Sequence, residues 1–365
     1  MNLDTPIVVV DQGKLKRNIA EMAQFSKKAG INLRPHIKTH KTAEIALLQI
    51  ETGAKGITVS KLGEAEEMFK AGIRDIFIAY QLVGEKKMQR LIELMLASDI
   101  TLAVDSETGA NFLKGIAGRV GRKIPILLEI DTGLNRCGIK PGADSLNFVK
   151  RIRETRELDF KGIFTHAGHA YGASSHSQVQ NIGRQEGKSM IALANSLINI
   201  GVQTEVISVG STPTAKLSGS IKGVTEIRPG NYVFYDAMQV SLGVVPVERC
   251  ALSIYTTVIS KPAKNRVIID AGSKTLSLDK GAHGNENLKG YGFIKGYPHL
   301  LLSRLSEEHG IIESMEMETV PEIGTILEII PNHACPVINL TDSLTVIDEN
   351  NKTKKWKVTA RGKVQ

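Results

Sequence analysis

The sequence is poor in cysteine and in aromatic residues. Cys137, Cys250 and Cys335 are the only cysteines among 365 residues, and an odd, widely spaced set argues against a disulfide framework and for a reducing compartment. Aromatic residues make up 5% of the chain, so few side chains could stack on bases. The net charge is +8, but the basic residues are spread along the chain. We therefore expect no nucleic-acid partner.

Long apolar runs are also missing. No apolar segment approaches the roughly 18 residues that span a bilayer. The first residues, MNLDTPIVVVDQ, show no basic stretch leading into an apolar one. We expect a cytoplasmic protein with no membrane partner. The hydrophobic fraction of 42% is enough for a large core, and a chain of 365 residues favours about two domains.

Apolar, β-branched runs alternate with helix-compatible sequence over the first two thirds of the chain. The runs are 7–11, 32–38, 56–60, 75–80, 100–105, 124–131, 160–166 and 205–210. This alternation predicts a parallel sheet, and its eight units close most economically as a TIM-like (β/α)8 barrel. We predict an α/β barrel over residues 1–240, with an open doubly wound sheet as the alternative.

The pattern changes after about residue 240. Short β-rich runs follow, separated by Gly, Pro and Asp, and helical patterns nearly vanish. The runs are 249–261, 265–273, 324–331 and 342–349. They predict a C-terminal, mainly antiparallel β domain over residues 241–365, with the first few residues of the chain as a candidate extra strand.

Cationic side chains share one parity in the second predicted strand. Extended backbone would aim Arg34, His36, Lys38 and His40 at one face, where a bound polyanion would offset the cost of burying them. Lys38 ends the strand and fits a partly desolvated amine for carbonyl chemistry. Lys41 has the opposite parity and ranks second as nucleophile. A solvated basic strand end, with His36 in a structural role, is equally compatible with the spacing.

Polar turns follow three later strands, at the end where TIM barrels place their chemistry. The segment DTGLNRCGI contains Arg136, which could reach a phenolate or carboxylate oxygen. The segment VGSTPT and the later turn RPGNY offer backbone N–H groups and hydroxyls to a phosphate. In the first of these turns, the groups available for this role belong to Gly210, Ser211 and Thr212.

His333 and Cys335 stand two residues apart after the strand-like run GTILEII. In extended backbone both side chains would point the same way and could hold one metal ion. Two protein ligands leave positions open for water or a substrate oxygen, and a thiolate with an imidazole favours zinc. A buried cysteine beside a capping histidine is the alternative that this pair alone favours.

These motifs together resemble the D-threonine aldolase and D-serine dehydratase family. The resemblance runs in order over nearly the whole chain, through Thr5-Pro6, RPHIKTHK, DTGLNRCGI, THAGHAY, GSTPT, RPGNYVFYD and the His333 and Cys335 pair. The family belongs to the alanine-racemase-like, fold type III enzymes that use pyridoxal 5'-phosphate. The resemblance implies a barrel that carries this cofactor and a β domain that completes the site across a homodimer.

The resemblance also implies residue roles. Lys38 corresponds to the lysine that holds the cofactor, Arg136 to the arginine near its phenolic oxygen, and His166 and Tyr171 to the polar residues beside its ring. The phosphate would lie against Gly210, Ser211, Thr212, Gly230 and Asn231. Arg228 resembles an arginine that faces the pyridine nitrogen, although this position varies within the family.

The implied function is a pyridoxal-phosphate- and metal-dependent lyase acting on a small β-hydroxy D-amino acid. His333 and Cys335 would hold a divalent ion, with Zn²⁺ expected and Mn²⁺ as the alternative. In the aldolase branch an aspartate replaces the cysteine, so Cys335 favours the D-serine dehydratase type over retro-aldol cleavage. An amino-acid racemase is a further alternative, which needs a second base and not the metal pair. Its candidate bases are Tyr255, Tyr291 and Tyr297.

Overall fold

The structure is a computed structural model that describes residues 4–281, 288–314 and 320–365. The chain begins with strand β1 (Ile7–Asp11), and eight further strands then form a wholly parallel sheet. These are β2 (Asn32–Leu33), β3 (Ile57–Val59), β4 (Asp75–Ile78), β5 (Asp99–Val104), β6 (Ile124–Ile130), β7 (Leu158–Thr165), β8 (Val206–Val209) and β9 (Glu226–Ile227). Their order is β2-β9-β8-β7-β6-β5-β4-β3. A parallel bridge between His36 and Thr58 joins the two ends of this sheet, which confirms the predicted TIM-like barrel.

The prediction that residues 7–11 form the first barrel strand is wrong, and the other prediction, that the first residues add a strand to the β domain, is confirmed. Residues 7–11 lie in the second sheet, where Val8 pairs with Ile254 antiparallel and Val9 pairs with Thr345 parallel. The eighth barrel strand is instead β9, which has only two residues. A strand this short shows no alternation, and the sequence therefore did not reveal it. The second to eighth predicted runs are therefore the first seven strands of the barrel, and β9 is the eighth.

Helices connect the barrel strands. They are α1 (Gln12–Ala29), α2 (Ala43–Glu51), α3 (Leu62–Lys70), α4 (Glu85–Ala97), α5 (Glu107–Val120), α6 (Ala143–Arg153), α7 (His176–Asn199), α8 (Ala215–Gly219) and α9 (Ala237–Ser241). Helix α1 shows how local sequence sets the bounds. The carboxylate of Asp11 accepts from the Lys14 N–H at its start, and Gly30 ends it at a φ of +67°.

The second sheet confirms the mainly antiparallel β domain. It contains β1, β10 (Leu252–Ala263), β11 (Arg266–Ile269), β12 (Gly292–Ile294), β13 (Leu300–Leu305), β14 (Gly310–Ser314), β15 (Ile326–Pro331), β16 (Ser343–Ile347) and β17 (Thr353–Lys357). Two short helices, α10 (Ser273–Leu276) and α11 (Ala334–Leu340), accompany these strands. Within the described strands of this second sheet, only β1 and β16 pair in parallel. The domain boundary near residue 240 stays a prediction.

The barrel interior is packed and partly charged. Arg34 follows β2, is 8% exposed and forms ion pairs with Asp75 and Glu226. The rings of Phe77 and Phe164 pack edge to face with their centres 4.9 Å apart, and the guanidinium of Arg228 lies beside both, 5.8 and 5.1 Å from those centres. Within the described parts of the chain, we find no helix with the length and apolar character needed to cross a bilayer.

Candidate active site

A cavity of about 290 Å³ contains nearly all of the residues that the sequence singled out. It is lined by His36, Lys38, Thr39, Ala79, Glu129, Arg136, Phe164, His166, Tyr171, Ser211, Thr212, Arg228, Gly230, Asn231, His333 and Cys335. Of the proposed site residues, only Gly210 does not line it. The cavity therefore brings residues of the barrel loops together with the His333 and Cys335 pair of the β domain.

Lys38 lies on a 3-10 turn and not at the end of a long strand. Strand β2 ends at Leu33, and residues Ile37–Thr39 form the turn. The imidazole Nδ1 of His36 accepts from the Lys38 N–H at 3.3 Å, which caps the turn. The predicted shared parity is therefore wrong, because the extended backbone ends at His36, where the 3-10 turn begins. Four basic side chains were predicted to share this face, and only His36 and Lys38 of these line the cavity. The other two are Arg34 and His40.

The surroundings of Lys38 suit a reactive amine. Burial lowers the pKa of this amine, and the nearby Arg136 guanidinium lowers it further, while Cys335 opposes the shift. Lys41 does not line the cavity. Its Nζ lies 3.1 Å from Oδ1 of Asn339 and 3.3 Å from Oε1 of Glu64. Of the two candidate lysines, only Lys38 faces the site.

The loop after β6 presents Arg136. The carboxylate Oδ1 of Asp131 accepts from the N–H groups of Gly133 and Asn135, both at 3.0 Å. Gly138 returns the chain to the strand at a φ of +101°, where a Cβ would lie 2.9 Å from the Asp131 backbone nitrogen. A side chain at Gly138 would displace this loop. The local turn thus sets how far Arg136 extends toward the cavity.

The two glycine-bearing turns meet at the cavity. The hydroxyl Oγ1 of Thr212 accepts from the Tyr232 N–H at 3.2 Å, which connects the turn after β8 with the turn after β9. Gly230 fits closely against the Lys38 turn, since a Cβ there would lie 2.9 Å from the His36 carbonyl oxygen. Ser211 and Thr212 are 2% and 5% exposed. Both turns therefore lie beside the cofactor-lysine candidate, as a phosphate cradle requires.

Gly210 has a different place. Its N–H donates to Oε1 of the buried Glu186 at 2.8 Å, on the side away from the cavity. Its φ of +93° lets the chain turn from β8 into the Ser211 segment. Gly210 shapes the cradle, and the structure does not place it among the lining groups.

His166 and Tyr171 follow β7 and both line the cavity. Burial raises the pKa of the Tyr171 hydroxyl. Arg228 also lines the cavity, and its Nη1 donates to Oγ of Ser208 at 2.6 Å. This contact fixes the Arg228 side chain, and its role toward the cofactor ring stays a prediction.

His333 and Cys335 lie at the start of α11. His333 precedes the helix with extended backbone, and Cys335 belongs to its first turn, so the predicted extended arrangement of both residues is wrong. Both nevertheless line the cavity. The Nδ1 atom of His333 lies 2.7 Å from Oδ2 of Asp279, so a metal ion held by this residue would bind through Nε2.

The thiol of Cys335 suits a metal ligand. Burial alone would raise its pKa, but His333, Thr39 and Lys38 together lower it below the ordinary value for a thiol. The Sγ atom lies 3.3 Å from Oγ1 of Thr39, the residue after Lys38. A thiolate and an oriented imidazole match zinc. Because Cys335 contacts the residue next to Lys38, the His333 and Cys335 pair lies beside the amine proposed as reactive.

The donor set of the cavity fits an anionic cofactor. Lys38, Arg136 and Arg228 contribute positive charge, and Ser211 and Thr212 contribute hydroxyls. Glu129 is the single carboxylate in the lining, and burial raises its pKa. This excess of cationic and hydrogen-bond-donating groups is the composition that a phosphate-bearing aldehyde such as pyridoxal phosphate requires.

Three acidic residues that support the site were not singled out from the sequence. Glu129 lies on β6, Asp279 orients His333, and Asp236 accepts hydrogen bonds from Asn231 and Ala334. Glu129 and Asp236 stood inside recognised segments, whereas Asp279 carried no signal because its partner is distant in sequence. The tyrosines proposed as racemase bases do not line the cavity of this chain: Tyr255, Tyr291 and Tyr297.

Two family models match the chain. Residues 10–237 match the alanine racemase N-terminal domain, and residues 251–347 match the serine dehydratase domain. The chain is 36% identical to D-threo-3-hydroxyaspartate dehydratase of Delftia sp. over 350 residues, which cover 92% of each chain. It is 29% identical to D-serine dehydratase of Dictyostelium discoideum over 377 residues, which cover 96% of this chain and 95% of that protein.

Solved structures agree with these relatives. The structure of D-threonine aldolase from Filomicrobium marinum superimposes with a TM-score of 0.90 at 28% identity, covering 99% of this chain and 96% of that one. The Delftia dehydratase has been solved as a cysteine-to-alanine variant in the metal-free form, with a TM-score of 0.89, 33% identity, and coverage of 98% and 97%. The chain therefore belongs to the D-threonine aldolase and D-serine dehydratase-like family, within the alanine-racemase-like enzymes of fold type III that use pyridoxal phosphate.

Proposed function

We propose that the chain is a metal-dependent lyase that dehydrates a small β-hydroxy D-amino acid, as a D-serine dehydratase does. One observation carries the proposal. The cavity that contains the Lys38 amine also contains His333 and Cys335, and Thr39 lies next to both groups. A racemase needs the lysine and a second base but has no use for this pair. A lyase that expels a β-hydroxyl needs both.

The cofactor would be held by groups from three loops. Lys38 would bind it covalently, Arg136 would donate to its phenolic oxygen, and Ser211, Thr212 and Asn231 would surround its phosphate. When bound, pyridoxal phosphate supplies an electron sink for the negative charge that develops at the substrate α-carbon. His166 and Tyr171 would flank the ring from the loop after β7.

The proton at the α-carbon needs a base within the cavity. The Lys38 amine is suited to this role because its lowered pKa gives it a larger neutral fraction near neutral pH. In the dehydration, the bond between the β-carbon and the hydroxyl oxygen breaks after the α-proton has gone to Lys38. The oxygen then leaves as water, with a proton that the protonated Lys38 can return. The remaining enamine takes up a proton at the β-carbon, and water hydrolyses the resulting imine to a 2-oxo acid and ammonia.

His333 and Cys335 would hold the divalent ion. A bound ion supplies Lewis acidity toward the β-hydroxyl oxygen. The metal-free cysteine-to-alanine structure of the Delftia relative supports a metal role for a cysteine in this family. Cys335 contributes sulfur where a harder ion would prefer a carboxylate, which favours Zn²⁺ over Mn²⁺ and dehydration over retro-aldol cleavage. The homodimer expected from the resemblance belongs to the same proposal.

A product assay tests the proposal. The purified protein is incubated with D-serine, D-threonine, D-threo-3-hydroxyaspartate and D-alanine, each with and without a chelator, and the products are identified by mass spectrometry. Pyruvate from D-serine, or oxaloacetate from the hydroxyaspartate, that disappears with chelator supports the dehydratase. Glycine from D-threonine would instead make the chain an aldolase. L-alanine from D-alanine, unaffected by chelator, would make it a racemase.

A further inference from the structure

Lys41 occupies an unusual backbone position beside the Lys38 turn. Its φ is +50°, in the left-handed region that few residues with side chains adopt. Its N–H donates to the Ile37 carbonyl oxygen at 2.8 Å, which closes the turn. Its own carbonyl oxygen accepts from the Ala360 N–H at 2.9 Å and from Oγ1 of Thr359 at 3.2 Å. The C-terminal segment thus fixes the end of the Lys38 turn.

The side chain of Lys41 joins two further parts of the molecule. Lys41 is 7% exposed, and its Nζ lies 3.3 Å from Oε1 of the buried Glu64 on α3. The same Nζ donates to Oδ1 of Asn339 at 3.1 Å. Asn339 lies on α11, the helix that also carries Cys335. One amine therefore connects a barrel helix with the helix of the metal pair.

Glu64 continues this connection to the cofactor side. Its Oε2 accepts from the Ser60 N–H at 2.7 Å. Oγ of Ser60 lies 3.3 Å from Nε2 of His36, and Nδ1 of His36 accepts from the Lys38 N–H at 3.3 Å. The path from Asn339 to Lys38 consists of side chains that are buried or half-buried, so a displacement at one end is passed to the other.

We propose that Lys41 is a positioning residue that couples the Lys38 turn to helix α11, so that binding of the metal and binding of pyridoxal phosphate strengthen each other. The inference rests on the proposed function for the identity of the two ligands. The contacts of Lys41 and Asn339 do not depend on it.

The physical basis is a shared ordering of two loops. Holding α11 against the Lys38 turn restricts both, and the ligand that binds first reduces the entropic cost for the second. The coupling is reciprocal, and the same factor must appear in either order of binding. Removing the Asn339 acceptor breaks the connection to α11 but keeps the ion pair between Lys41 and Glu64.

The test measures the dissociation constant of pyridoxal phosphate for apoprotein by its visible absorbance, with and without saturating Zn²⁺. The Zn²⁺ constant is measured with and without the cofactor. For the unmodified protein we expect each ligand to tighten the other by roughly tenfold. For Asn339→Leu we expect both ligands to bind with a coupling factor several-fold smaller, and not abolished, because the contacts of Cys335 with Thr39 and of Asp236 with Ala334 remain. Lys41→Met should reduce the coupling similarly and also change the visible circular dichroism of the bound cofactor, which reports its orientation.

Lys363→Met is the matched control. Lys363 lies in the C-terminal segment that contacts Lys41, and the substitution removes its half-exposed ion pair with Glu67. It should keep the full coupling and the dichroism. If Lys41→Met does not fold, Asn339→Leu decides the question. An unchanged coupling factor in Asn339→Leu, or independent binding of the two ligands to the unmodified protein, would overturn the inference alone. A protein that binds no Zn²⁺ would overturn the proposed metal site together with it.

Discussion

The carboxylate of Asp236 accepts a hydrogen bond from the backbone N–H of Ala334, with Oδ2 at 2.9 Å from the nitrogen. Ala334 lies between the two proposed metal ligands. The same Oδ2 accepts from Nδ2 of Asn231 at 2.6 Å. Asp236 is fully buried. One carboxylate therefore joins the phosphate cradle of the barrel to the metal loop of the β domain.

Replacing Asp236 tests this connection. In Asp236→Asn, the amide NH2 group would face a donor in either orientation, because Ala334 and Asn231 donate to one carboxylate oxygen and the Gln239 N–H donates to the other. We expect the free energy of unfolding to fall by about 1 to 3 kcal/mol, measured by urea denaturation. Asp342→Asn, which removes an exposed ion pair with Arg361, should cost less than about 1 kcal/mol. Equal effects of the two variants would mean that the Asp236 contacts do not stabilise the fold.

Lys38 should carry the cofactor. We expect the purified protein to be yellow, and Lys38→Ala to lose the visible absorption band while its far-ultraviolet circular dichroism is unchanged. Lys41→Met should keep a visible band, because the Lys41 amine is bound to Glu64 and Asn339 and does not line the cavity. Borohydride reduction followed by peptide mass mapping gives a direct check. A label on Lys41, or on no lysine, would contradict the assignment.

Arg136 should bind the cofactor through a charged hydrogen bond. We expect Arg136→Ala to weaken binding of pyridoxal phosphate by roughly 1.5 to 3 kcal/mol, or to shift its absorption, because a charge-assisted hydrogen bond is lost. Titration of apoprotein measures the affinity. Lys140→Ala removes an exposed cation four residues further along the same loop and should leave the affinity unchanged. An unaltered spectrum and turnover in Arg136→Ala would remove this residue from the site.

The metal pair should be needed for elimination, whereas the cofactor should still bind without the ion at a saturating concentration. With saturating pyridoxal phosphate, chelation and Cys335→Ala should each abolish dehydration while the visible band remains, because loss of the ion weakens cofactor binding only by the roughly tenfold coupling and leaves Lys38 in place. Cys335→Asp should favour a harder ion and raise retro-aldol cleavage relative to dehydration. Product analysis and elemental analysis of the same samples check these outcomes. Full dehydratase activity in metal-free protein would contradict the proposed requirement for the metal.

The buried His40 should make folding sensitive to mild acid. Burial of the His40 ring lowers its pKa to about 3, because the interior disfavours the charged imidazolium, and its contacts with Gln49 and Thr42 only partly oppose this shift. In mild acid His40 therefore binds a proton in the unfolded chain but stays neutral in the folded chain. Stability is complete above the ordinary pKa near 6.5 and is lost as the pH falls toward 3.

Between pH 7.5 and 5.5 this residue alone should cost about 1.4 kcal/mol of unfolding free energy. His40→Gln cannot take up that proton, so its stability should fall less over the same interval. Urea denaturation at the two pH values measures the difference between the proteins, in which contributions from other groups cancel. Parallel pH dependences of the two proteins would show that His40 is not the group responsible.

Much of the fold follows from local sequence. The alternation of apolar runs and helical patterns between residues 56 and 210 predicted strands β3 to β8 and the helices between them, because each such unit has a period that its own residues set. The change of pattern after about residue 240 likewise predicted antiparallel strands. Residues 7–11 form a strand, as predicted, but the sequence of a strand does not determine which sheet it joins. Their place in the second sheet depends on pairing with Ile254 and Thr345.

The chain motifs also determined which residues meet in the cavity, since those near the carboxyl ends of barrel strands share one mouth. What they could not determine is how each group is held. The parity argument failed at Lys38 because the chain leaves the strand at Leu33 and enters a 3-10 turn. The partners that orient the site come from far along the chain: Asp279 with His333, Asp236 with Ala334, and Asn339 with Lys41. These contacts exist only once the β domain packs on the barrel, because hydrogen bonds between residues so distant in sequence depend on the tertiary fold.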